Sequence, residues 1–440
     1  MKNGNLATRP PMGWNSFDCF NASVTEAEIK EAADILATDF FEFGWEYIVV
    51  DYCWSHPAPK LLWAPDLELA SDGQYLPDLE MDAYGRLLPT PNRFPSARGG
   101  SGFKLLADYV HERGLKFGIH IMRGIPRQAF HRNLPVLGST AHAQEIGDPN
   151  STCKWLNQMY GVDMARSGAQ AYYDSLFQLY TAWGVDFVKV DDIAFPYSAA
   201  EVEAIQQAIQ NCGRPMVLSL SPGPMTLAQA PHVQKFANAW RVSSDFWDHW
   251  EQLKKQFALM ADWAPFIGPG HWADADMLPL GRIELRGPIA ETPHMTRFTC
   301  AEQYAFMTLC AISRSPLMFG GCLPGLDDFT RSLLTNPEVL AVNQASTQNQ
   351  QLFSTQGRVA WSAAAPDSDD KYLAVFNLND QAHSVPVSLA DLGMPGPCRM
   401  RDLWARKNID EPVRCIFSPE IPPHGAGLYQ VIQVQLRMKK

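Results

Sequence analysis

The sequence predicts a (β/α)8 TIM barrel followed by a C-terminal antiparallel β-sandwich domain, in the α/β class. Amphipathic helices alternate with short, almost continuously apolar strands, the pattern of parallel strands covered by crossover helices. After residue 343 the pattern changes to short strands separated by turn residues. Because 440 residues suffice for both units, we expect the barrel over residues 8–340 and the β domain over residues 345–434.

The first helix–strand unit shows how the barrel repeats. Residues 25–28 form a Thr-x-x-Glu capping box, the helix runs to Phe43, Gly44 ends it, and a strand follows at residues 47–51. Similar units have helices over residues 103–113, 169–183 and 200–212. The eight predicted strands cover residues 12–15, 47–51, 116–121, 186–191, 216–221, 239–242, 272–276 and 317–319. A doubly wound open sheet is the alternative, but no Gly-x-Gly-x-x-Gly fingerprint opens the first unit.

The remaining segments are loops or belong to the second domain. Residues 56–98 and 122–157 fit neither the helical nor the strand period, so we expect long loops over the barrel mouth. The β domain has strand patterns at residues 359–362, 372–377, 384–388 and 427–432.

Composition excludes several kinds of partner. The net charge of −11 and the absence of a basic stripe argue against nucleic acid. No apolar run of about 18 residues predicts a membrane helix, and the first ten residues lack a signal-peptide pattern, so we expect a cytoplasmic protein. Nine scattered cysteines indicate reduced thiols, although Cys19 and Cys53 could pair. The composition is compatible with a homo-oligomer as well as with a monomer.

Four acids stand at predicted strand ends: Asp51, Asp191, Asp245 and Asp276. The carboxyl ends of barrel strands form the active-site face, so we expect these side chains to converge there. Lys189 lies two residues before Asp191 and shares its face of the strand, where a cation favours the ionised acid.

Asp245 follows Arg241 and has Trp240 and Trp247 nearby. This aromatic, partly desolvated setting is one in which an acid could donate a proton. One carboxyl group is thus expected to be ionised and the other to donate a proton, and nearby tryptophans could stack on a sugar ring. This combination indicates glycoside hydrolysis. A divalent cation on Asp274 and Asp276, or on residues 191–192, is the competing mechanism. No histidines cluster there, so we predict neither a metal nor another cofactor.

An ordered set of motifs resembles glycoside hydrolase family 27, the α-galactosidase and α-N-acetylgalactosaminidase family. The match extends over nearly the whole chain. Its motifs are Pro-Pro-Met-Gly-Trp-Asn-Ser at residues 10–16, Asp51-x-Cys53-Trp54, Trp-Gly-Val-Asp-Phe-Val-Lys-Val-Asp at 183–191, Trp-Arg-x-x-x-Asp at 240–245 and Gly-Pro-Gly-His-Trp-Ala-Asp-Ala-Asp-Met-Leu at 268–278.

The resemblance implies Asp191 as nucleophile and Asp245 as acid/base. It places the sugar-binding pocket at Trp14, Asp51, Lys189, Arg241 and Asp276. Four residues depart from the usual pattern and stand at sugar-contacting positions. Tyr52 replaces a second acid, Phe17 replaces a tryptophan, and His120 stands where an aromatic hydroxyl is common. Ser221 aligns with the small residue of the N-acetylgalactosaminidase type.

We therefore predict an exo-acting retaining hydrolase of terminal α-galactosides, acting on small oligosaccharides or glycosides. The same fold and mechanism could serve α-N-acetylgalactosaminides, β-L-arabinopyranosides or α-glucosides. A β-L-arabinopyranoside has the ring stereochemistry of galactose but no hydroxymethyl group, which suits the bulky Tyr52. A catalytically silent carbohydrate-binding barrel is the alternative from another class, but the presence of both Asp191 and Asp245 argues against it.

Overall fold

The computed structural model describes residues 6–59, 79–286 and 292–434. Eight parallel strands form one sheet in the order β7-β6-β5-β4-β3-β2-β1-β8. Their bounds are β1 Met12–Asn15, β2 Tyr47–Val50, β3 Lys116–Met122, β4 Phe187–Asp191, β5 Val217–Leu220, β6 Ala239–Arg241, β7 Trp272–Asp274 and β8 Leu317–Phe319. Leu278, just beyond β7, pairs in parallel with Phe319 of β8 and joins the two ends of the sheet. The predicted barrel and its strands are confirmed.

Helices follow the strands as their end signals predict. Their bounds are α1 Glu26–Ile35, α2 Lys104–His111, α3 Ala169–Trp183, α4 Ala199–Asn211, α5 Ala230–Phe236, α6 Trp250–Trp263, α7 Cys300–Ile312, α8 Asp328–Leu334 and α9 Pro337–Ala345. The Thr25 capping box starts α1, and Gly184 ends α3 with a φ of 86°, a left-handed conformation that glycine adopts without strain.

One of the two expected loops is partly structured. Residues 122–157 were expected to be irregular, but they contain helices Arg127–His131 and Ala143–Ile146. They also contribute strands Ile125–Pro126 and Gly147–Thr152, which pair antiparallel with Met159–Val162. These elements are shorter than the windows in which sequence periodicity can be recognised. Of the other loop, residues 60–78 lie outside the described residues.

The C-terminal unit is an antiparallel sheet in the order β9-β10-β11-β14-β12-β13. Its strands are β9 Thr347–Thr355, β10 Arg358–Ala364, β11 Lys371–Asn377, β12 Cys398–Asp402, β13 Lys407–Asn408 and β14 Ala426–Gln433. One face packs on short strand pairs that include Val387 and Phe417, which completes a sandwich. The other face continues the barrel core, where Phe376 meets Phe257 of α6 with ring centroids 4.9 Å apart.

The division at residues 340–345 stays a prediction, since α9 runs through it. All nine cysteines are free. Cys19 and Cys53 are both buried and do not form a disulfide; the Cys19 thiol instead has the Cys322 thiol as its neighbour. In the described part of the chain, every helix is too short or too polar to cross a bilayer.

Candidate active site

The four acids predicted at strand ends line one cavity of about 190 Å³ at the carboxyl end of the barrel. Asp51 follows β2 directly and Asp191 is the last residue of β4, whereas Asp245 and Asp276 lie in the segments after β6 and β7. Nine predicted site residues line this cavity: Phe17, Asp51, Tyr52, Lys189, Asp191, Ser221, Arg241, Asp245 and Asp276. The structure therefore brings these nine residues together in one cavity, as expected of parallel barrel strands that end at a common rim.

A larger groove of about 890 Å³ lies elsewhere, between the segment around β7 and the start of β9. Among the described residues that line it, Asp262 supplies the only carboxylate. It therefore lacks the pair of acids that glycoside hydrolysis requires.

Asp191 is held as a carboxylate at the end of β4. Its Oδ1 accepts a hydrogen bond from the Asp192 backbone N–H at 2.7 Å, and its Oδ2 lies 3.0 Å from His120 Nε2. Burial by itself would raise the pKa of Asp191, but the His120 hydrogen bond and the nearby Lys189 ammonium hold it below its ordinary value. Asp191 is thus charged and aimed into the cavity, as a nucleophile must be.

Lys189 forms its ion pair with Asp51 rather than with Asp191. Its Nζ lies 3.0 Å from Asp51 Oδ2, which also accepts a hydrogen bond from Asn15 Nδ2 at 2.7 Å. Burial opposes ionisation of Asp51, but the Lys189 charge, the neighbouring His120 and hydrogen bonds from the Tyr52 backbone N–H and from Asn15 keep the pKa of Asp51 well below the usual range. His120 is therefore the direct partner of Asp191, and Lys189 acts on it from a greater distance.

Arg241 connects the other two acids. Its Nη2 lies 2.7 Å from Asp276 Oδ2 and 3.2 Å from Asp245 Oδ1. The Phe246 backbone N–H donates to Asp276 Oδ2 at 2.8 Å. Burial raises the pKa of Asp276 to about 6 although Arg241 opposes this. Asp276 is 4% exposed at its side chain and Asp245 67% exposed, so Asp245 can exchange protons with solvent across the cavity mouth.

Three aromatic side chains form the cavity wall beside Asp51. The Tyr52 ring is buried and meets the His120 ring edge-on, with centroids 5.6 Å apart. It also contacts Phe17 at 6.4 Å, and Phe17 contacts Trp247 at the same distance. Tyr52, Phe17 and Trp247 all line the cavity, so an aromatic ring occupies the position where the resemblance expects a second acid.

Two tryptophans differ from their predicted roles. Trp14 was expected in the pocket wall, but it is buried against Phe20 and donates its Nε1–H to the Gly321 carbonyl at 2.8 Å. It supports the β1 end of the barrel without lining the cavity. Trp240 was expected near Asp245, but it packs on Trp263 of α6. The side chains of neighbouring strand residues point to opposite faces, so Trp240 faces outward while Arg241 faces the cavity.

His120 also stays out of the cavity lining and acts through Asp191. Four lining residues were not predicted: Asp18, Trp155, Phe246 and Met277. Asp18 and Met277 adjoin predicted site residues, which is a usable signal. Trp155 belongs to the 122–157 segment, and nothing in its local sequence indicates that it reaches the barrel mouth. Among the described residues, no group of three or more His, Cys, Asp or Glu side chains is arranged to hold a metal ion.

Comparison with known proteins matches two family models to this chain. The model described as "Alpha galactosidase A" matches residues 160–345. The model described as "Alpha galactosidase C-terminal beta sandwich domain" matches residues 355–431. The curated α-galactosidase of Cyamopsis tetragonoloba is 27% identical over 96% of this chain and 86% of its own length.

Solved structures give a more specific similarity. A family 27 β-L-arabinopyranosidase from Geobacillus stearothermophilus, in a variant bound to arabinose, is 48% identical over 99% of both chains, with a TM-score of 0.93. The chain belongs to glycoside hydrolase family 27. A candidate α-N-acetylgalactosaminidase from Bacillus halodurans C-125 is 45% identical over 97% of both chains, with a TM-score of 0.85. This family 27 chain is therefore a glycosidase. The comparisons do not support the alternative of a catalytically silent carbohydrate-binding barrel.

Proposed function

We propose that this family 27 glycosidase is a retaining β-L-arabinopyranosidase. Tyr52 carries the proposal. Its buried ring follows Asp51 in the chain and packs edge-on against the rings of His120 and Phe17. At this position the family usually has a second acid that holds the sugar's hydroxyls. A β-L-arabinopyranoside presents the hydroxyls of galactose without the hydroxymethyl group, so a bulky ring at this point fits the pentose and crowds the hexose.

The comparisons support this choice over α-galactosides. Identity is 48% to the β-L-arabinopyranosidase and 27% to the curated α-galactosidase of Cyamopsis tetragonoloba. The α-galactosidase prediction drawn first from the sequence therefore becomes the second choice. An α-N-acetylgalactosaminide is a further candidate, since Ser221 is small, buried and lines the cavity.

The proposed reaction is a double displacement. The Asp191 carboxylate bonds to the anomeric carbon while the glycosidic C–O bond breaks and Asp245 donates a proton to the departing oxygen. Asp245 then takes a proton from water, the water oxygen attacks the anomeric carbon, and Asp191 is released as a carboxylate. The low pKa of Asp191 and the solvent access of Asp245 fit these two roles.

A panel of nitrophenyl glycosides tests the substrate. We expect kcat/KM for the β-L-arabinopyranoside to exceed that for the α-D-galactopyranoside by about tenfold or more, the range expected for excluding one substituent. The α-N-acetylgalactosaminide and the α-glucoside complete the panel. A wild-type preference for any of these three would refute the proposal.

Two substitutions at Tyr52 test the stated cause. Tyr52→Asp removes the ring and restores an acid, so it should raise activity on the galactoside relative to the arabinopyranoside. Tyr52→Phe is the matched control, because it keeps the bulk and should keep the wild-type selectivity. If Tyr52→Asp leaves the ratio unchanged, Tyr52 does not determine the choice of sugar.

A further inference from the structure

Asp18 is a further buried acid of the cavity, beside Asp51 and Asp276, and the reaction described above gives it no role. It follows Phe17 on the short helix after β1, lines the cavity and is 1% exposed. Among the described residues, its Oδ2 has no hydrogen-bond partner. This oxygen is enclosed by protein and lies against Gly320. Buried carboxylates are nearly always paired, so the lack of a donor at Oδ2 in the described part of the chain favours the neutral acid, while the residue itself lines the cavity and can contact a ligand there.

The surroundings of Asp18 favour its neutral form. Burial raises the pKa of Asp18 well above its ordinary value, and the negative charges of Asp276, Asp51 and Glu284 raise it further. The Lys189 ammonium opposes this change, but its ion pair is with Asp51 at 3.0 Å. A neutral carboxylic acid has an O–H group to donate, which an ionised carboxylate lacks.

Packing holds the Asp18 carboxyl in place. It lies directly against Gly320, where even a single added methyl group would collide with Oδ2. The Glu284 backbone N–H donates to the Asp18 carbonyl oxygen at 2.7 Å and fixes the backbone. The carboxyl group is therefore positioned before any ligand enters, and its ordering costs little binding free energy.

We propose that Asp18 is a sugar-binding residue that donates a hydrogen bond from its neutral carboxyl group to a hydroxyl of the ring in the pocket. The other acids that line the cavity, Asp51, Asp191, Asp245 and Asp276, supply acceptors when ionised. The cationic donors, Lys189 and Arg241, are already paired with acids. Asp18 would add an uncommitted donor. The inference depends on the proposed function only in requiring a sugar in this cavity.

Competitive inhibition by the free sugar measures this contact without involving the chemical step. Asp18→Asn keeps a neutral donor of the same shape, so its inhibition constant for L-arabinose should stay within about threefold of the wild type. Asp18→Leu has similar size but no donor, and should weaken inhibition by about tenfold or more. If the leucine variant does not fold, Asp18→Ala gives the same comparison.

Glu284→Gln is the matched control. Glu284 belongs to the same buried acidic group and is bonded to Asn21 at 3.2 Å, but it does not line the cavity. Its inhibition constant should therefore stay within about twofold of the wild type. Melting temperatures of all variants show whether a loss of inhibition reflects unfolding.

The pH dependence gives a readout that a structural role would not change. Ionisation of Asp18 removes the donor, so wild-type affinity for arabinose should fall at high pH more than that of Asp18→Asn. Asp276, Asp51, Glu284 and Lys189 also face Asp18, but they are common to both proteins and cancel in the comparison.

Three results would overturn the proposal. One is an Asp18→Leu or Asp18→Ala variant that is folded and inhibited as strongly as the wild type. The second is an Asp18→Asn variant that is as weakly inhibited as the leucine variant. The third is a wild-type affinity that rises with pH relative to Asp18→Asn. D-galactose and N-acetylgalactosamine are tested alongside L-arabinose, so a wrong substrate assignment would appear as a different preferred sugar, with the Asp18 comparison then made on that sugar.

Discussion

Replacing Asp191 by asparagine separates a catalytic role from a structural one. The asparagine side chain would keep the Oδ1 acceptor for the Asp192 N–H, which is 2.7 Å away. Its amide group would face His120 Nε2, which lies 3.0 Å from the present Oδ2 and can accept a hydrogen bond as a neutral imidazole. One charge-assisted hydrogen bond becomes a neutral one, at a cost of about 1 kcal/mol of unfolding free energy.

Lys189→Met on the same strand is the contrasting variant. It leaves Asp51, which is 2% exposed at its side chain, as a buried and unpaired carboxylate, at a cost of roughly 3–5 kcal/mol. Both variants should lose activity. Only Lys189→Met should lose much stability, with a melting temperature lower by roughly 3–5 °C, against about 1 °C for Asp191→Asn.

Calorimetry and steady-state kinetics on the preferred glycoside measure both effects. We expect kcat of Asp191→Asn to fall by at least about a thousandfold, because the attacking charge is gone. Azide should partly restore turnover in Asp191→Gly by entering the vacated space and attacking the anomeric carbon. A strongly destabilised asparagine variant with near-normal turnover per folded molecule would refute the assignment, and Asp192 would be the next nucleophile to test.

Three further predictions concern stereochemistry, metal and pH. NMR should show that the sugar is first released with the anomeric configuration of the substrate, and an inverted configuration would exclude retention. In a substrate complex the Asp191 and Asp245 carboxyl groups should lie about 5–5.5 Å apart, and a distance beyond about 9 Å would also exclude retention. EDTA should leave turnover unchanged, and restoration of lost activity by a divalent ion would refute the metal-free mechanism. Burial raises the pKa of Asp192 from 3.8 to about 6, although Arg123 opposes this. The neutral form of Asp192 therefore stabilises the folded state by about 3 kcal/mol below about pH 4. This stabilisation is lost as the pH rises through about 6. Denaturant unfolding should therefore show that the unfolding free energy of Asp192→Asn rises by about 3 kcal/mol relative to that of the wild type between about pH 4 and 7. A difference in unfolding free energy that does not change with pH would contradict this reasoning.

Much of the site could be predicted because its positions depend on local patterns. The strand before Asp51 and the strand ending at Asp191 are short apolar runs, and a barrel brings the ends of such runs together. Lys189 and Asp191 share a face because strand side chains alternate. The exceptions are Trp14 and His120, which the resemblance placed in the pocket although both are buried and neither lines the cavity.

Partner choice could not be predicted in the same way. Lys189 had two acids within reach, and only the assembled barrel shows that Asp51, 138 residues away, receives the ion pair. Asp245 was expected in a partly desolvated setting, but its side chain is 67% exposed, and Trp240 packs on Trp263 of α6. Such differences arise because burial depends on which distant segments pack against a residue.

The alternation of helices and strands, the change to an antiparallel domain and the position of four acids at one rim could all be predicted from the sequence, because they follow from periodicity and chain direction. Only the tertiary structure decided that His120 contacts Asp191, that Trp155 reaches the cavity and that Asp18 is buried among other acids. Those facts depend on contacts between segments far apart in the chain, and contacts of that kind set the solvation and charge around each side chain.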